Sequence, residues 1–254
     1  MGRGFKKMKR SIIVGYGEVG EALFKIEKNS QYEPFALDVN GRLPEQKSIL
    51  VDDTIEVVHI CFPFKTLVIF RKDIVYYWKH YKPKLIIIHS TVPVGTTEDL
   101  CKYIPCPIVH SPIRGVHPEL YKGLLEFVKY VGGTNESATK GVDYLKSIGL
   151  KAERLGTSSD TELMKILSTT YYGWNILFAK EAQKLCTYYG LDYDKVYTTP
   201  NKSYNEGYRK LGMEYVVRPV LVPPKKHIGG HCVSQNTQFL PESLLKKHFN
   251  ILNM

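Results

Sequence analysis

Three observations predict an α/β chain, with a Rossmann-type, doubly wound, mostly parallel sheet followed by a helical domain built on a long central helix. The first is Ser11–Gly20, SIIVGYGEVG, an apolar run that breaks into glycines at Gly15, Gly17 and Gly20. The second is the alternation of short apolar, β-branched runs with helical stretches over the first 155 or so residues. The third is the stretch from Asp160 to Tyr189, which holds no proline and one internal glycine, Gly173. Together they place a dinucleotide-binding domain at 1–157 and a helical domain at 158–254.

The elements follow in order. MGRGFKKMKR is expected to be a flexible, solvated lead-in rather than a signal segment. The glycine-broken run reads as a buried strand turning into a helix N-terminus, where unpaired N–H groups and the helix dipole favour an anion. Gly15 allows the tight turn, Gly17 the close approach of a pyrophosphate, and Gly20 the packing of helix on strand. Tyr32–Asp38, YEPFALD, is a second strand ending in an acid where the ribose hydroxyls of NAD would be held and the extra phosphate of NADP repelled.

Only some sixteen residues separate that strand from the next apolar run, Val57–Pro63, so an abbreviated or irregular connection is expected there. A helix over Thr66–Tyr81 feeds a buried strand at Leu85–His89, and a helix near Thr96–Tyr103 precedes the run Pro107–Ser111. Val128–Gly132 and Ala152–Leu155 bracket a helix at Glu136–Ile148, ended by Gly149. TSSDTE offers several N-caps for the long helix, which should stop near Gly190. At 1.5 Å per residue it spans roughly 45 Å, more than a compact domain needs, so it is expected to bridge two domains or two subunits.

Composition narrows the class. With 43% hydrophobic and 24% charged residues the chain reads as globular, and no apolar run approaches the roughly 20 residues of a membrane span. Five scattered cysteines, an odd number, read as free thiols in a reducing cytoplasm, and the CKYIPC spacing with no second ligand pair argues against zinc. The net charge of +10 suits an anionic ligand, yet Lys and Arg are dispersed and no nucleic-acid reader motif is present.

Two further stretches carry chemistry. Ser90–Thr97, STVPVGTT, follows the LIIIH run, so its hydroxyls are expected at the ligand crevice. Gly229–Cys232, GGHC, places a flexible backbone beside a thiol. With these, the chain resembles the UDP-glucose, GDP-mannose and UDP-N-acetylhexosamine dehydrogenases. The resemblance runs in order through GYGEVG, Asp38, STVPVGTT, ELMK, WNILFAKEAQKLC and HIGGHCV, and the GGHC form is most like the members that act on UDP-N-acetylated aminosugars.

The resemblance implies an NAD-dependent, four-electron oxidation of a sugar primary alcohol to a carboxylate. Cys232 would add to the intermediate aldehyde as a thiohemiacetal, and its oxidation product would be a thioester that water hydrolyses. Lys165 would stabilise the developing oxyanion, and Thr91 would position water and substrate. The implied cofactor contacts are Gly15, Tyr16, Gly17, Glu18, Val19, Gly20, Asp38, Pro63, Ser90 and Thr91. The implied substrate contacts are Lys165, Gly229, Gly230, His231 and Arg114, with Lys225 and Lys226 candidates for holding an anion. A homodimer through the long helix is implied too.

The departures are specific. The family aspartate four residues after the cysteine is Asn236, and an amide accepts no proton at neutral pH. The helix asparagine four after the lysine is Thr169, and the glutamate of the family's Pro-Glu segment aligns with Ile113. His110, Arg114 and His117 lie nearby as substitutes for the missing base. Family members continue into a second nucleotide-binding domain well past Cys232, so the expectation is a partner chain that supplies it, a smaller substrate, or altered activity. Two other readings stand beside the first: a two-electron NAD-dependent alcohol dehydrogenase or carbonyl reductase, and a catalytically silent NAD-binding regulatory or structural protein.

Overall fold

The computed structural model describes residues 9–39, 41, 43–49, 53–115, 119–223, 231–243 and 245–247, with the backbone alone at 231, 232 and 234. The first part of the chain runs β1 (Lys9–Val14), α1 (Glu18–Lys28), β2 (Glu33–Leu37), β3 (Thr54–Ile60), α2 (Leu67–Tyr81), β4 (Leu85–Ile88), α3 (Thr96–Cys101), β5 (Ile108–His110). It continues through α4 (Leu120–Glu126), β6 (Lys129–Val131), α5 (Asn135–Ser147) and β7 (Ala152–Arg154). Then come α6 (Ser158–Tyr188), a π-helical turn at Asp194–Thr198, α7 (Thr199–Lys210), a 3-10 turn at Glu214–Val216 and α8 (His231–Thr237). Two compact units divide within α6, at 1–165 and 166–254.

In the first unit, five parallel strands lie in the order β2-β1-β3-β4-β5. The direction of strand addition reverses between β1 and β3, the point at which sheets of this kind open a crevice at their carboxyl ends. Both faces are buried, which is why the strands read as continuous apolar runs. Ile13, Ala36, Val57, Ile87 and Val109 pack with α1 and α5 on one face. Ile12, Val58, Ile60, Ile86 and Ile88 pack with Phe70 and Ile74 of α2 on the other.

The connection from β2 to β3 carries neither helix nor strand among its described residues. Side chains hold it instead. The Gln46 amide brackets the outer strand, accepting from the Ala36 N–H at 2.7 Å and donating to its carbonyl at 3.1 Å. Gln46 thereby satisfies edge groups that would otherwise be open to another strand.

Three features differ from the sequence expectations. Lys9 and Arg10 belong to β1 rather than to a solvated lead-in. Arg10 is buried because its guanidinium meets Asp53 at 2.6 Å and the carbonyls of Lys47 and Ser48. Second, β6 and β7 form their own parallel pair, joined to the main sheet by an antiparallel bridge between His110 and Gly132. Third, α4 occupies a stretch to which the sequence reading assigns no element; it buries Leu120, Gly123 and Leu124 and has no side-chain cap to announce it.

The second unit is helical. Leu177 and Val233 are buried together, with Trp174 and Ile176 against them. Along α6, Leu167, Tyr171, Phe178, Leu185 and Tyr188 are exposed. No helix among the described residues is long and apolar enough to cross a membrane.

Candidate functional site

The glycine loop lies where the strand order reverses. Gly15 has φ +95°, and a Cβ there would lie 2.8 Å from the Phe62 backbone nitrogen, so both conformation and packing demand glycine. A Cβ on Gly20 would lie 2.0 Å from the Gly15 carbonyl oxygen, whereas one on Gly17 meets nothing within 4 Å. Gly17 also precedes the first turn of α1, so the open space sits before the helix N-terminus, whose dipole favours an anion. The donor set and the clearance suit a pyrophosphate.

Asp38 follows β2 beside this loop. Its carboxylate accepts the Tyr16 N–H at 2.6 Å, and the Gly15 N–H donates to Leu37 at 2.8 Å, so the acid and the turn form one braced unit. Ser90 donates from its hydroxyl to the Phe62 carbonyl at 2.6 Å, tying the end of β4 to the end of β3, while Pro63 is exposed and Thr91 half-buried. Glu18 and Val19 open α1.

The Ser90–Thr97 segment is held from α6. Glu162 is buried and accepts the Gly95 N–H at 2.7 Å, the Thr97 N–H at 2.9 Å and the Thr97 hydroxyl at 2.6 Å. Burial pushes its carboxyl above the usual range, against those hydrogen bonds.

One turn further along the same helix, Lys165 donates from Nζ to the Ile113 carbonyl at 2.8 Å. Ile113 itself is buried, so the position aligned with the family glutamate offers a backbone oxygen and no carboxylate. His110 is engaged at both ring nitrogens. Its Nε2 donates to the Ser90 carbonyl at 3.1 Å, its Nδ1 accepts from Thr161 at 2.9 Å, and burial pulls its pKa down to about 3. Arg114 is exposed and stacks on Tyr130, 5.1 Å from the ring centroid. His117 lies outside the described residues.

Sequence reasoning missed a buried polar chain beneath this turn. Glu27 of α1, His59 of β3, His89 after β4, Lys129 of β6 and Tyr144 of α5 are all buried. His59 meets Glu27 Oε1 at 2.7 Å and His89 at 2.8 Å; His89 reaches the Ser111 carbonyl at 2.9 Å. Lys129 Nζ donates to the carbonyls of Ser111 and, at 2.8 Å, Pro112. Burial alone would raise the Glu27 carboxyl, but His59, Ser11 and Tyr144 outweigh it and hold Glu27 below the usual carboxylate range. Burial pushes Lys129 well below the ordinary lysine range, and His89 well below that of histidine. The available signal was a lone ionisable residue within each apolar run: VVHICFP, LIIIH and FVKYV.

In the helical unit, Asn236 is buried and donates from its amide to the Thr169 hydroxyl at 3.3 Å, while Thr169 donates to the Ile166 carbonyl at 3.0 Å. The two residues that depart from the family pattern are therefore partners. His231 and Cys232 open α8, but their side chains lie outside the described residues, as do Gly229, Gly230, Lys225 and Lys226. Among the described residues no cluster of His, Cys, Asp or Glu is arranged to hold a metal.

Comparison with known proteins bears on this geometry. No family model matches the chain. It is 27% identical over 163 residues to the UDP-N-acetyl-D-mannosamine dehydrogenase of Methanocaldococcus jannaschii, covering 62% of this chain and 35% of that protein. It is 24% identical over 177 residues to the protein of the same name from Campylobacter jejuni, covering 63% and 40%. The chain thus spans well under half the length of these curated relatives. Among solved structures, UDP-D-ManNAc dehydrogenase from Pyrococcus horikoshii superposes with a TM-score of 0.73 at 18% identity, covering 96% of this chain and 68% of that one. A 3-hydroxyisobutyrate dehydrogenase from Mycobacterium tuberculosis gives 0.69 at 13% identity, covering 96% and 92%. The shared fold is the Rossmann-like sheet with a helical continuation.

Proposed function

We propose that this chain, a relative of the UDP-sugar dehydrogenases, binds NAD at the Gly15–Gly20 loop and oxidises the primary alcohol of an anionic, nucleotide-type sugar. The observation that carries the reading is the clearance before α1 at Gly17, with the Asp38 carboxylate braced beside it. Bound NAD would supply the hydride acceptor. Asp38 would take the ribose hydroxyls, favouring NAD over NADP, and Ser90, Thr91 and Pro63 would flank the cofactor.

Lys165 would stabilise the alkoxide, since an ammonium already ordered on a backbone carbonyl needs little reorganisation as charge develops. Cys232 would add through sulfur to the aldehyde, giving a thiohemiacetal whose oxidation leaves a thioester for water to cleave. Gly229, Gly230, His231 and Arg114 would contact substrate. In this scheme residues 1–157 bind the cofactor and 158–254 supply catalysis and dimerisation. The decisive measurement is the NADH formed per UDP-N-acetylhexosamine consumed, expected to be two and to fall to one in Cys232→Ser. No reduction of NAD across UDP-sugars would end the proposal.

A second reading, a single two-electron oxidation with no covalent step, is favoured by Asn236 in place of a carboxylate. It predicts one NADH per substrate and no effect of Cys232→Ser. A homodimer through α6 belongs to the proposal as well, because Leu167, Tyr171, Phe178 and Leu185 form an uncovered stripe. Sedimentation at micromolar concentration as a monomer would remove it. The compartment we assign is the cytoplasm, testable by fractionation.

A further inference from the structure

Three consecutive carbonyls, those of Ser111, Pro112 and Ile113, receive buried or half-buried nitrogen donors. Ser111 accepts from His89 Nδ1 at 2.9 Å and also from Lys129 Nζ; Pro112 accepts from Lys129 at 2.8 Å; Ile113 accepts from Lys165 at 2.8 Å. Nothing in this run resembles a regular element, since residues 111–114 belong to neither helix nor strand. Its backbone is aimed by what donates to it.

A hydrogen-bond chain runs behind it. A carbonyl can only accept, so His89 carries a proton on Nδ1 where it meets Ser111, and its Nε2 lies 2.8 Å from His59 Nδ1. That leaves His59 Nε2 facing Glu27 Oε1 at 2.7 Å, with Tyr144 donating to the same oxygen at 2.6 Å and Ser11 to the other. The 3.2 Å separation of Lys129 Nζ from His89 Nδ1 is that of two donors sharing one oxygen. These contacts tie Glu27 to the Ser111 carbonyl through a continuous line, while the buried Ser111 hydroxyl has no partner among the described residues.

We propose that Lys129 is a positioning residue for Lys165, and that the Glu27–His59–His89 chain keeps the Ser111–Ile113 carbonyls aimed at both lysines. This deepens the reading of Lys165 as the group that meets the substrate oxygen, and so rests on it. Lys129 itself sits too deep to touch substrate. It acts by holding the first two carbonyls, so that the third presents a fixed acceptor to Lys165. The ionisable groups around the pair are His89 beyond β4, Cys61 beyond β3, His110 of β5 and Lys165 of α6, with Glu27, His59 and Tyr144 behind them.

The test reads Lys165 directly. Arylation by fluorodinitrobenzene, followed by peptide mapping of Lys165 at alkaline pH, gives a limiting rate. In Lys129→Met, release of the turn raises the limiting rate about threefold or more. Lys129→Arg, which restores the donors, returns the rate toward wild type; a role in packing alone predicts the reverse, with Met tolerated and Arg not. Glu27→Gln raises the limiting rate in the same direction and carries the test should Lys129→Met fail to fold. Wild-type values in Lys129→Met, or Lys129→Arg behaving as the Met variant, overturns the proposal. So does a Glu27→Gln protein whose Lys165 reacts as wild type. The readout needs no turnover, so absence of sugar oxidation would end the dehydrogenase reading and leave this result standing.

Discussion

Oε1 of Glu162 accepts both the backbone N–H and the hydroxyl of Thr97, at 2.9 and 2.6 Å, while its other oxygen takes the Gly95 N–H. A carboxylate on the long helix thus fixes the strand-end segment whose hydroxyls the cofactor and substrate would meet. The contact lies one turn before Lys165, so the helix that carries the candidate lysine also anchors the loop opposite it.

Removing that carboxylate orphans three donors at a buried site. Glu162→Ala is expected to cost about 3 kcal/mol or more, and Glu162→Gln, which keeps one acceptor oxygen but turns an amide toward Gly95, about 1–3 kcal/mol. Urea unfolding of the three proteins measures both. A loss below about 0.5 kcal/mol in Glu162→Ala would show that the clamp contributes nothing to stability.

The three loop glycines should separate stability from binding. In Gly20→Ala the new methyl would meet the Gly15 carbonyl oxygen, a backbone atom that cannot step aside, so a cost of about 3 kcal/mol is expected. Gly17 has φ −85° and open space, and Gly17→Ala should melt within a few degrees of wild type. Its NAD affinity, by fluorescence titration, should fall at least about tenfold, because the methyl occupies the space a pyrophosphate needs. Undiminished affinity in Gly17→Ala would move the cofactor away from this loop.

Acid should destabilise the sheet domain through His110. Burial holds its pKa at about 3 in the folded chain, against 6.5 when exposed. The unfolded chain therefore binds the proton first, so stability is fully present above pH 6.5 and is lost as pH falls toward 3. At about 1.4 kcal/mol per unit the ceiling is roughly 5 kcal/mol. His110→Gln keeps a donor for Ser90 and an acceptor for Thr161, and unfolding free energies between pH 3 and 6.5 should lose about one proton's worth of slope. His89, depressed in the same direction, retains its share. An unchanged slope would mean that His110 is accessible to protons in the folded state.

The legible and illegible parts of the molecule divide along physical lines. Gly15, Gly17 and Gly20 were readable because each answers a local demand, and the sheet because parallel strands buried on both faces leave continuous apolar runs. Long α6 was readable from its unbroken pattern. Arg10 was not, because its burial depends on Asp53 and on the carbonyls of Lys47 and Ser48, more than thirty residues away. Glu27, His59, His89 and Lys129 were hidden in the same way: the last three are each one polar residue in an apolar run, Glu27 sits among charged helix residues, and their partnership arises only when α1, β3, the end of β4 and β6 are assembled. The role of Ile113 inverted expectation, since the sequence marks a missing carboxylate while the fold supplies its carbonyl to Lys165.

Asn236 offers the last test, because its neighbour is known. Its amide donates to the Thr169 hydroxyl, which in turn donates to Ile166. A carboxylate at this position would have to receive a proton from Thr169, drawing that hydroxyl away from the helix carbonyl, at a stability cost of about 1 kcal/mol. In exchange it would provide what an amide cannot, an acceptor able to take a proton from water. Under the four-electron reading, Asn236→Asp should speed thioester hydrolysis at Cys232, seen as faster release of carboxylate and a smaller trapped fraction of acylated Cys232 by mass spectrometry. Under the two-electron reading the same change leaves one NADH per substrate and no acylated cysteine. Asn236→Asp with an acylated fraction equal to wild type, in a protein that does form the thioester, would show that the water is activated elsewhere.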